Sequence, residues 1–259
     1  MTNQNLDTSL KILRFIEDGN SITQEDSGQL INRAVISHIA DIQNLTLDQL
    51  ADDTFLSDAS ASRYFKRKGF PSYTTFKNAF IKFMMEQQVA IIKNSYIGRD
   101  EKEKFSIQMD DELAEIMNIA GRSYKNAAKI LLRCDHVIFA GEMYDIHPFF
   151  PLQVILLCSS RAAYLCRTNE LKTFPDRILK GNVVIVAVSH TKENTENINR
   201  LKDRLGSAFV ISFGTDRTLD PDVVIPSIEK NRFTDRSMVI PLQVKCLLEE
   251  YINISGMRP

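Results

Sequence analysis

The chain has 259 residues, 44% of them hydrophobic, and 32 basic against 33 acidic residues give it a formal net charge of −1. This length and composition allow substantial cores in one or two domains and exclude a disordered tail or linker. We find neither a signal peptide nor a run of 18 apolar residues, so we expect a cytoplasmic protein that does not enter a membrane.

The first 45 residues predict two amphipathic helices. Apolar residues line one side of residues 6–17, and the pattern repeats over residues 29–43. His38 lies on the apolar side of the second helix, where a packed core histidine is more common than a metal ligand.

Residues 45–80 carry the signals of two short helices joined by a tight turn. Leu47, Leu50 and Ala51 have helical spacing over residues 45–53, and residues 54–56 interrupt the pattern. Ser57 is a suitable N-cap for a second helix over residues 58–68. After this helix comes Gly69, the residue type that usually follows a helix C-terminus. Such a pair is typical of a helix-turn-helix, whose second helix lies in the DNA major groove.

Positive charge accumulates on and after this second helix. No acidic residue occurs between residues 59 and 82, a span that holds six cations: Arg63, Lys66, Arg67, Lys68, Lys77 and Lys82. A charge run usually marks a solvated helix face, but here the helix-turn-helix context favours phosphate contacts.

A further helix is predicted from Pro71 towards Ile91. Its aromatic stripe is more typical of a core than of a base-stacking platform, because stacking platforms usually lie on sheets. Residues 96–105 are charged and lack periodicity, so we expect a domain boundary there and another helix over residues 109–133.

The run LDQLADDTFLSDASASRYFKRKGFPSYTTFKNAF resembles the helix-turn-helix of the RpiR family of bacterial transcription regulators. The likeness covers about 35 residues, including the Ser-acidic start, the Arg-aromatic pair and the basic-Gly-Phe ending. The chain departs at Phe55, where the family usually has glycine, a residue that adopts positive φ more readily. The resemblance implies a set of DNA-binding residues: Ser57, Asp58, Ala59, Ser60, Ser62, Arg63, Tyr64, Lys66, Arg67 and Lys68. Within it, Ser57 acts as a cap, Arg63 reaches a guanine or a phosphate, and one of Tyr64 and Phe65 packs while the other contacts the DNA backbone.

From residue 137 the pattern changes to strands alternating with helices. Strands are predicted over residues 137–140, 162–166, 182–189, 208–213 and 223–226, with helices over 147–157, 193–205 and 237–251. Continuous apolar strands separated by helices indicate a doubly wound parallel sheet covered on both faces. The four cysteines include no CxxC pair, so we expect buried thiols, with no metal and no cofactor.

The segment VVIVAVSHTKENTENINRLKDRLGSAFVISF resembles the sugar isomerase (SIS) domain, a flavodoxin-like fold that binds phosphosugars. Its phosphate loop corresponds here to residues 189–194, and a second family loop begins at Gly141. The resemblance implies these effector-binding residues: Gly141, Ser189, Thr191, Lys192 and Asn194. Several family positions differ, and Glu142 and Asp145 add negative charge beside any phosphate.

Three functions therefore compete. The first is a transcription regulator, with a DNA-binding domain over residues 1–84, a helical linker over 85–108 and a SIS-like α/β domain over 109–259. It would bind double-stranded DNA as a homodimer or tetramer and sense a phosphosugar effector. The second is a phosphosugar isomerase, for which His190, Glu193, Glu249 and Glu250 are candidate bases. The third is a dimeric interaction protein. The intact signature over residues 57–70 favours the regulator, and we expect no enzyme activity.

Overall fold

The computed structural model describes residues 3–20, 27–87, 111–175, 179–188, 191–214, 217–226 and 236–256. The described residues between 3 and 87 form a helical unit, and the described residues between 111 and 256 form an α/β domain. Most of the predicted linker, from residue 88 on, lies outside the described residues, so the boundary over 85–108 stays a prediction. No helix among the described residues is long and apolar enough to cross a bilayer.

The helical unit follows the predicted order of helices. Its α-helices are α1 (Asn3–Asn20), α2 (Ser27–Ser37), α3 (Leu47–Thr54), α4 (Asp58–Arg67) and α5 (residues 73–87). The prediction of one helix over residues 29–43 is corrected, because α2 ends at Ser37 and a 3-10 turn spans Ile39–Asp41. The Ser37 hydroxyl donates to the carbonyl of Ala34 at 2.7 Å, where the chain leaves the α-helix.

An aromatic cluster holds the helical unit together. The ring centroid of Phe76 lies 4.6 Å from that of Phe15, 4.7 Å from that of Phe65 and 5.6 Å from that of Phe80. All four side chains are fully buried. Each such pair contributes about 0.5–1.5 kcal/mol beyond the burial of its area. The prediction that the aromatic stripe belongs to the core is confirmed.

The α/β domain contains a five-stranded, wholly parallel sheet. Its strands are β1 (His136–Gly141), β2 (Ala162–Arg167), β3 (Val183–Val188), β4 (Phe209–Phe213) and β5 (Val223–Ile225). They lie in the order β2-β1-β3-β4-β5, which is the flavodoxin-like order. The helices are α6 (Asp111–Leu131), the single turn α7 (Met143–Ile146), α8 (Phe150–Cys158), α9 (Lys192–Leu205) and α10 (Arg236–Ser255). The predicted fold class is confirmed.

Alternate residues of the strands face two separate cores. Val137 and Phe139 pack with residues of α6, α8 and α10 on one face. Ile138 and Ala140 pack on the other face, in a core that contains α9 and residues of the helical unit. Both faces of the sheet are therefore covered, as the apolar strands predict.

The connection from β2 to β3 contains no α-helix in its described part, and the helical unit fills that space. A 3-10 helix, Thr168–Thr173, follows β2, while α1 and α2 both contact β2. The buried guanidinium of Arg33 lies 5.0 Å from the ring centroid of Phe174, and its Nε donates to the carbonyl of Gly19 at 3.3 Å. The two parts of the chain therefore share one core.

Two buried amides bind the outer edge of β2. Asn20, at the end of α1, and Gln153, in α8, hydrogen-bond to each other at 3.0 and 2.7 Å. The Oδ1 atom of Asn20 also accepts from the backbone N–H of Leu165 at 3.0 Å, and the Nε2 atom of Gln153 donates to the carbonyl of Ala163 at 2.9 Å. The pair satisfies backbone groups that a neighbouring strand would otherwise bind, and so protects the edge.

The prediction of buried thiols holds for two of the four cysteines. Cys134 and Cys166 are buried, and burial raises the pKa of each to about 12. Cys158 and Cys246 are half-buried, and each packs against one of the two cores.

Candidate functional site

The turn between α3 and α4 is tight and contains no glycine. Phe55 adopts the left-handed conformation, with φ 55° and ψ 35°. Its N–H donates to the carbonyl of Asp52 at 3.2 Å, and the N–H of Leu56 donates to that of Ala51 at 3.0 Å. These two bonds form a Schellman motif, whose left-handed position usually holds glycine. Phe55, where the chain departs from the family pattern, therefore still forms the turn. This residue is 79% exposed.

Both predicted ends of the second helix are confirmed. The Ser57 hydroxyl accepts from the backbone N–H of Ser60 at 3.3 Å, which makes it the N-cap. At the other end Gly69 has φ 84° and its N–H donates to the carbonyl of Lys66 at 3.0 Å. The N–H of Phe70 donates to the carbonyl of Phe65 at 3.0 Å, which completes a second Schellman motif.

The inner side of α4 fixes the helix to the core. Ala61, Tyr64 and Phe65 are buried, and the Tyr64 hydroxyl donates to Oδ1 of Asn32 in α2. Tyr64 is only 4% exposed. The prediction that Tyr64 binds DNA is corrected, because its ring packs in the core and its hydroxyl is already bound within the protein.

The outer side of α4 is polar and basic. Asp58, Ala59, Arg63, Lys66 and Arg67 are exposed, while Ser60 and Ser62 are half-buried. The Arg63 side chain folds back along its own helix: Nε donates to the carbonyl of Ala59 at 3.2 Å and Nη2 donates to Oγ of Ser60 at 3.3 Å. The guanidinium is therefore held over the amino-terminal half of α4. In helix-turn-helix proteins, that half of the second helix faces base edges.

The structure divides the six predicted cations into two groups. Lys68 pairs with Asp18 at 2.5 Å and lies 5.5 Å from the ring centroid of Tyr64, so it fastens α4 to α1. Lys77 donates to the carbonyl of Leu45 at 3.1 Å, and Lys82 lies 3.7 Å from Glu86. Lys66 and Arg67 have no ion pair with any residue that the structure describes. The basic surface of α4 thus consists of Arg63, Lys66 and Arg67.

A second polar group lies at the carboxyl ends of β1 and β3. The strand order reverses between these two strands, and open α/β sheets bind their ligands at such a switch point. Gly141 ends β1 and pairs in register with Val188. A Cβ atom on Gly141 would stand 2.8 Å from both the Val188 carbonyl oxygen and Cγ2 of Ile146. Close packing between strands therefore requires this glycine.

Asn194 joins three elements at this switch point. Its backbone N–H donates to Oγ1 of Thr191, the N-cap of α9, at 3.2 Å. Its side-chain Nδ2 donates to Oε1 of Glu142 at 3.2 Å, and its Oδ1 accepts from Oγ1 of Thr168 at 2.5 Å. Asn194 and Thr168 are both buried. The Glu142 carboxylate thus lies at the amino-terminal end of α9, where an anionic ligand would find the positive end of the helix dipole.

The structure brings together three of the five predicted effector residues. Gly141, Thr191 and Asn194 lie around the switch point, whereas the Lys192 side chain is 92% exposed and 3.9 Å from Glu196. Ser189 lies outside the described residues, as does the candidate base His190. Thr168 was not among the predicted effector residues. It follows a predicted strand closely, so the sequence did indicate that it lies at the same edge of the sheet.

The remaining candidate bases lie on two different helices. Glu193 is exposed on α9, and Glu249 and Glu250 are half-buried in α10. His38, expected in the core, is instead a partner of Asp53, with Nε2 and Oδ2 2.5 Å apart and about a third of each side chain exposed.

Comparison with known proteins gives a likeness of fold alone. No protein-family model matches the chain, and no curated protein matches it. Among solved structures, the chain is similar to the Vibrio vulnificus NanR protein complexed with ManNAc-6P, at 14% sequence identity and a TM-score of 0.39. The alignment covers 95% of this chain and 90% of that chain. A likeness at this level assigns no function, so the proposals below depend on the residues of this chain.

Proposed function

We propose that the chain is a transcription regulator of sugar metabolism that binds operator DNA through α3 and α4 as a dimer. The observation that carries this proposal is the construction of α4. Its inner side is buried, both of its ends are capped, and its outer side presents small polar residues followed by three cations.

The order of residues along α4 suits the major groove. Asp58, Ala59 and Ser62 lie in the amino-terminal half, where small side chains let the helix approach base edges. Arg63 follows, and its fork of donors suits the two acceptors of guanine. Lys66 and Arg67 come one turn later, where phosphate contacts position the helix without reading sequence.

Two copies of the chain are part of this proposal. A single short recognition helix covers few base pairs, so helix-turn-helix proteins commonly bind as dimers to half-sites about 34–36 Å apart. We assign the dimer contacts to the α/β domain, and a tetramer would pair two such dimers. Sedimentation of the full chain with and without operator DNA measures these states.

The switch point of the sheet is the effector site in this proposal, and a phosphosugar is the effector class that the family resemblance implies. For phosphate to bind there, the amide of Asn194 must be released from Glu142, whose charge opposes an anion. We therefore expect weak phosphosugar binding, and we propose that the site does not turn the sugar over.

Selection from a random DNA library at two salt concentrations tests the DNA-binding proposal. The wild-type chain should enrich a palindromic site, and Arg63→Ala should lose discrimination at one position of each half-site by roughly 5- to 100-fold. Lys66→Ala should instead weaken all sequences alike and reduce the salt slope by about one.

The matched control is Arg200→Ala, which removes an arginine whose side chain is 69% exposed on α9. It should leave both selection and salt slope unchanged. If no site is enriched, or if Arg63→Ala and Arg200→Ala behave alike, the proposal is wrong and isomerase assays come next.

A further inference from the structure

One short segment contacts both the switch point and the helical unit. This connecting segment, residues 168–174, follows β2 and consists of the 3-10 helix Thr168–Thr173 and Phe174. On one side α9, which begins at the switch point, packs along it. On the other side α1 and α2 contact β2, the strand from which the segment emerges. The segment therefore lies between the switch point and the helices that hold α4.

A buried hydrogen bond fixes the beginning of the connecting segment to the switch point. Oγ1 of Thr168 donates to Oδ1 of Asn194 at 2.5 Å, and both residues are buried. The other end of the same amide donates to Glu142. Because both ends of the amide are occupied, a ligand that binds Glu142 or turns the Asn194 side chain also changes the bond to Thr168.

Arg204 of α9 holds the end of the connecting segment. Its Nη1 atom donates to the carbonyls of Leu171 at 3.1 Å and Lys172 at 2.9 Å. Its Nη2 atom donates to the carbonyl of Phe174 at 3.0 Å. Hydrogen bonds from a charged guanidinium are stronger than those between neutral groups. α9 therefore holds the segment at both ends, so a displacement of α9 at the switch point carries the segment with it.

The Phe174 ring joins the connecting segment to α2. This residue is 3% exposed, and its ring centroid lies 5.0 Å from the guanidinium carbon of Arg33 and 5.4 Å from the ring centroid of Tyr164. Arg33 is itself buried, and its Nε donates to the carbonyl of Gly19. A buried guanidinium has few alternative positions, because interiors are closely packed and its charge must keep its partners. A shift of the Phe174 ring is therefore passed to α2.

The residue before Arg33 anchors α4. Asn32 is buried in α2, and its Nδ2 donates to the carbonyl of Phe15 at 3.1 Å. Its Oδ1 accepts from the hydroxyl of Tyr64 in α4. Asn32 and Arg33 contact different neighbours, since successive residues point in different directions around a helix, but they move with the same turn of α2. One turn of α2 therefore links the connecting segment to α4.

We infer that the connecting segment transmits a change at the switch point to α4. The route runs from Asn194 through Thr168 to Phe174. From Phe174 it continues through Arg33 and the same turn of α2 to Tyr64. Loss of the bond between Thr168 and Asn194 should therefore loosen the attachment of α4, because closely packed interiors transmit strain. That a ligand uses this route to alter DNA binding rests on the proposed function, whereas the mechanical link does not.

Amide hydrogen exchange of the full chain without DNA, followed by mass spectrometry, tests the inference. Thr168→Val keeps the shape of the side chain and removes its hydroxyl, so α4 should exchange at least about threefold faster while α10 keeps its rate. Thr168→Ser keeps the donor and should behave like the wild type. The matched control is Thr173→Val, which removes an exposed hydroxyl that donates to the carbonyl of Glu170 in the same segment, and it should leave α4 unchanged.

Phe174→Leu tests the middle of the route, because it keeps an apolar side chain and removes the ring beside Arg33. In this background Thr168→Val should no longer change the exchange of α4. A general loss of stability would instead accelerate α4 and α10 alike, with additive effects of the two changes. Asn194→Ala removes the acceptor of the same bond and should reproduce the effect of Thr168→Val, so the test does not depend on the folding of one variant.

The inference is overturned if both switch-point variants leave α4 unchanged, if α4 and α10 accelerate equally, or if the effect persists with Phe174→Leu. Once library selection has identified an operator, Thr168→Val should weaken its binding by at least about threefold and keep the base preference set by Arg63. Faster exchange of α4 with no enriched operator would contradict the proposed function and support the mechanical link. An enriched operator with unchanged exchange would do the reverse.

Discussion

Asn20 makes three buried hydrogen bonds between the helical unit and the α/β domain, and its removal should destabilise the whole chain. Asn20→Ala deletes both bonds to Gln153 and the bond to the backbone N–H of Leu165. Each bond contributes about 1 kcal/mol net, and unpaired buried groups add to the loss. We expect the free energy of unfolding to fall by about 2–4 kcal/mol and the melting temperature by about 4–10 °C.

Urea unfolding followed by circular dichroism measures this loss. The control is Asn199→Ala, which removes a single exposed bond at 3.3 Å to the carbonyl of Thr218 and should change stability by less than about 0.5 kcal/mol. Gln153→Ala and the double variant complete a mutant cycle, whose interaction energy should be about 1–2 kcal/mol. If Asn20→Ala is as mild as Asn199→Ala, the amide pair does not hold the two parts together.

Three further changes test individual residues. Phe55→Asn relieves a left-handed conformation that costs about 1 kcal/mol, so it should stabilise the chain by up to that amount. Phe55→Ala keeps the strain and should not stabilise the chain. If urea unfolding shows that Phe55→Asn loses stability, the ring of Phe55 packs against the protein. Glu142→Gln removes the charge beside Asn194, so it should raise the affinity for inorganic phosphate by about tenfold in a calorimetric titration. An unchanged affinity would count against an anion site there. Burial lowers the pKa of His136, so the unfolded chain takes up that proton at a higher pH than the folded chain does. Its contribution to stability is therefore complete above about pH 6.5 and is lost as the pH falls below that value. His136→Phe should flatten the fall in unfolding free energy between about pH 7.5 and 5, and equal slopes would refute this account.

Local signals were enough to predict the pair of short helices α3 and α4 and the turn between them. Ser57 caps α4 and Gly69 follows its end as predicted, because capping depends on residues within one turn of the helix. The strand over Val183–Val188 was also predictable, since a continuous apolar run between helices has few alternatives in a parallel sheet.

The roles of single side chains were less predictable. Lys68 and Tyr64 carry the same local signals as the exposed residues beside them in the sequence, but Asp18 binds the first and Asn32 binds the second. Asp18 is 50 positions from Lys68 and Asn32 is 32 positions from Tyr64. Pairings over such separations leave no periodic pattern in the sequence. The predicted DNA-binding surface therefore included Tyr64, which belongs to the core, and Lys68, which is paired within the protein.

By itself, the sequence determined the order of helices and strands, the turn between α3 and α4, and the parallel sheet. Each of these depends on periodicity, capping and turn chemistry over a few residues. Only the tertiary structure decided that the helical unit covers the sheet beside β2. Asn20 and Gln153 meet across 133 positions, and a cavity exists between the two parts because α3 and the first residues of β1 lie opposite each other. Such contacts form when distant apolar surfaces are buried together, and burial depends on the arrangement of the whole chain and not on any short stretch of it.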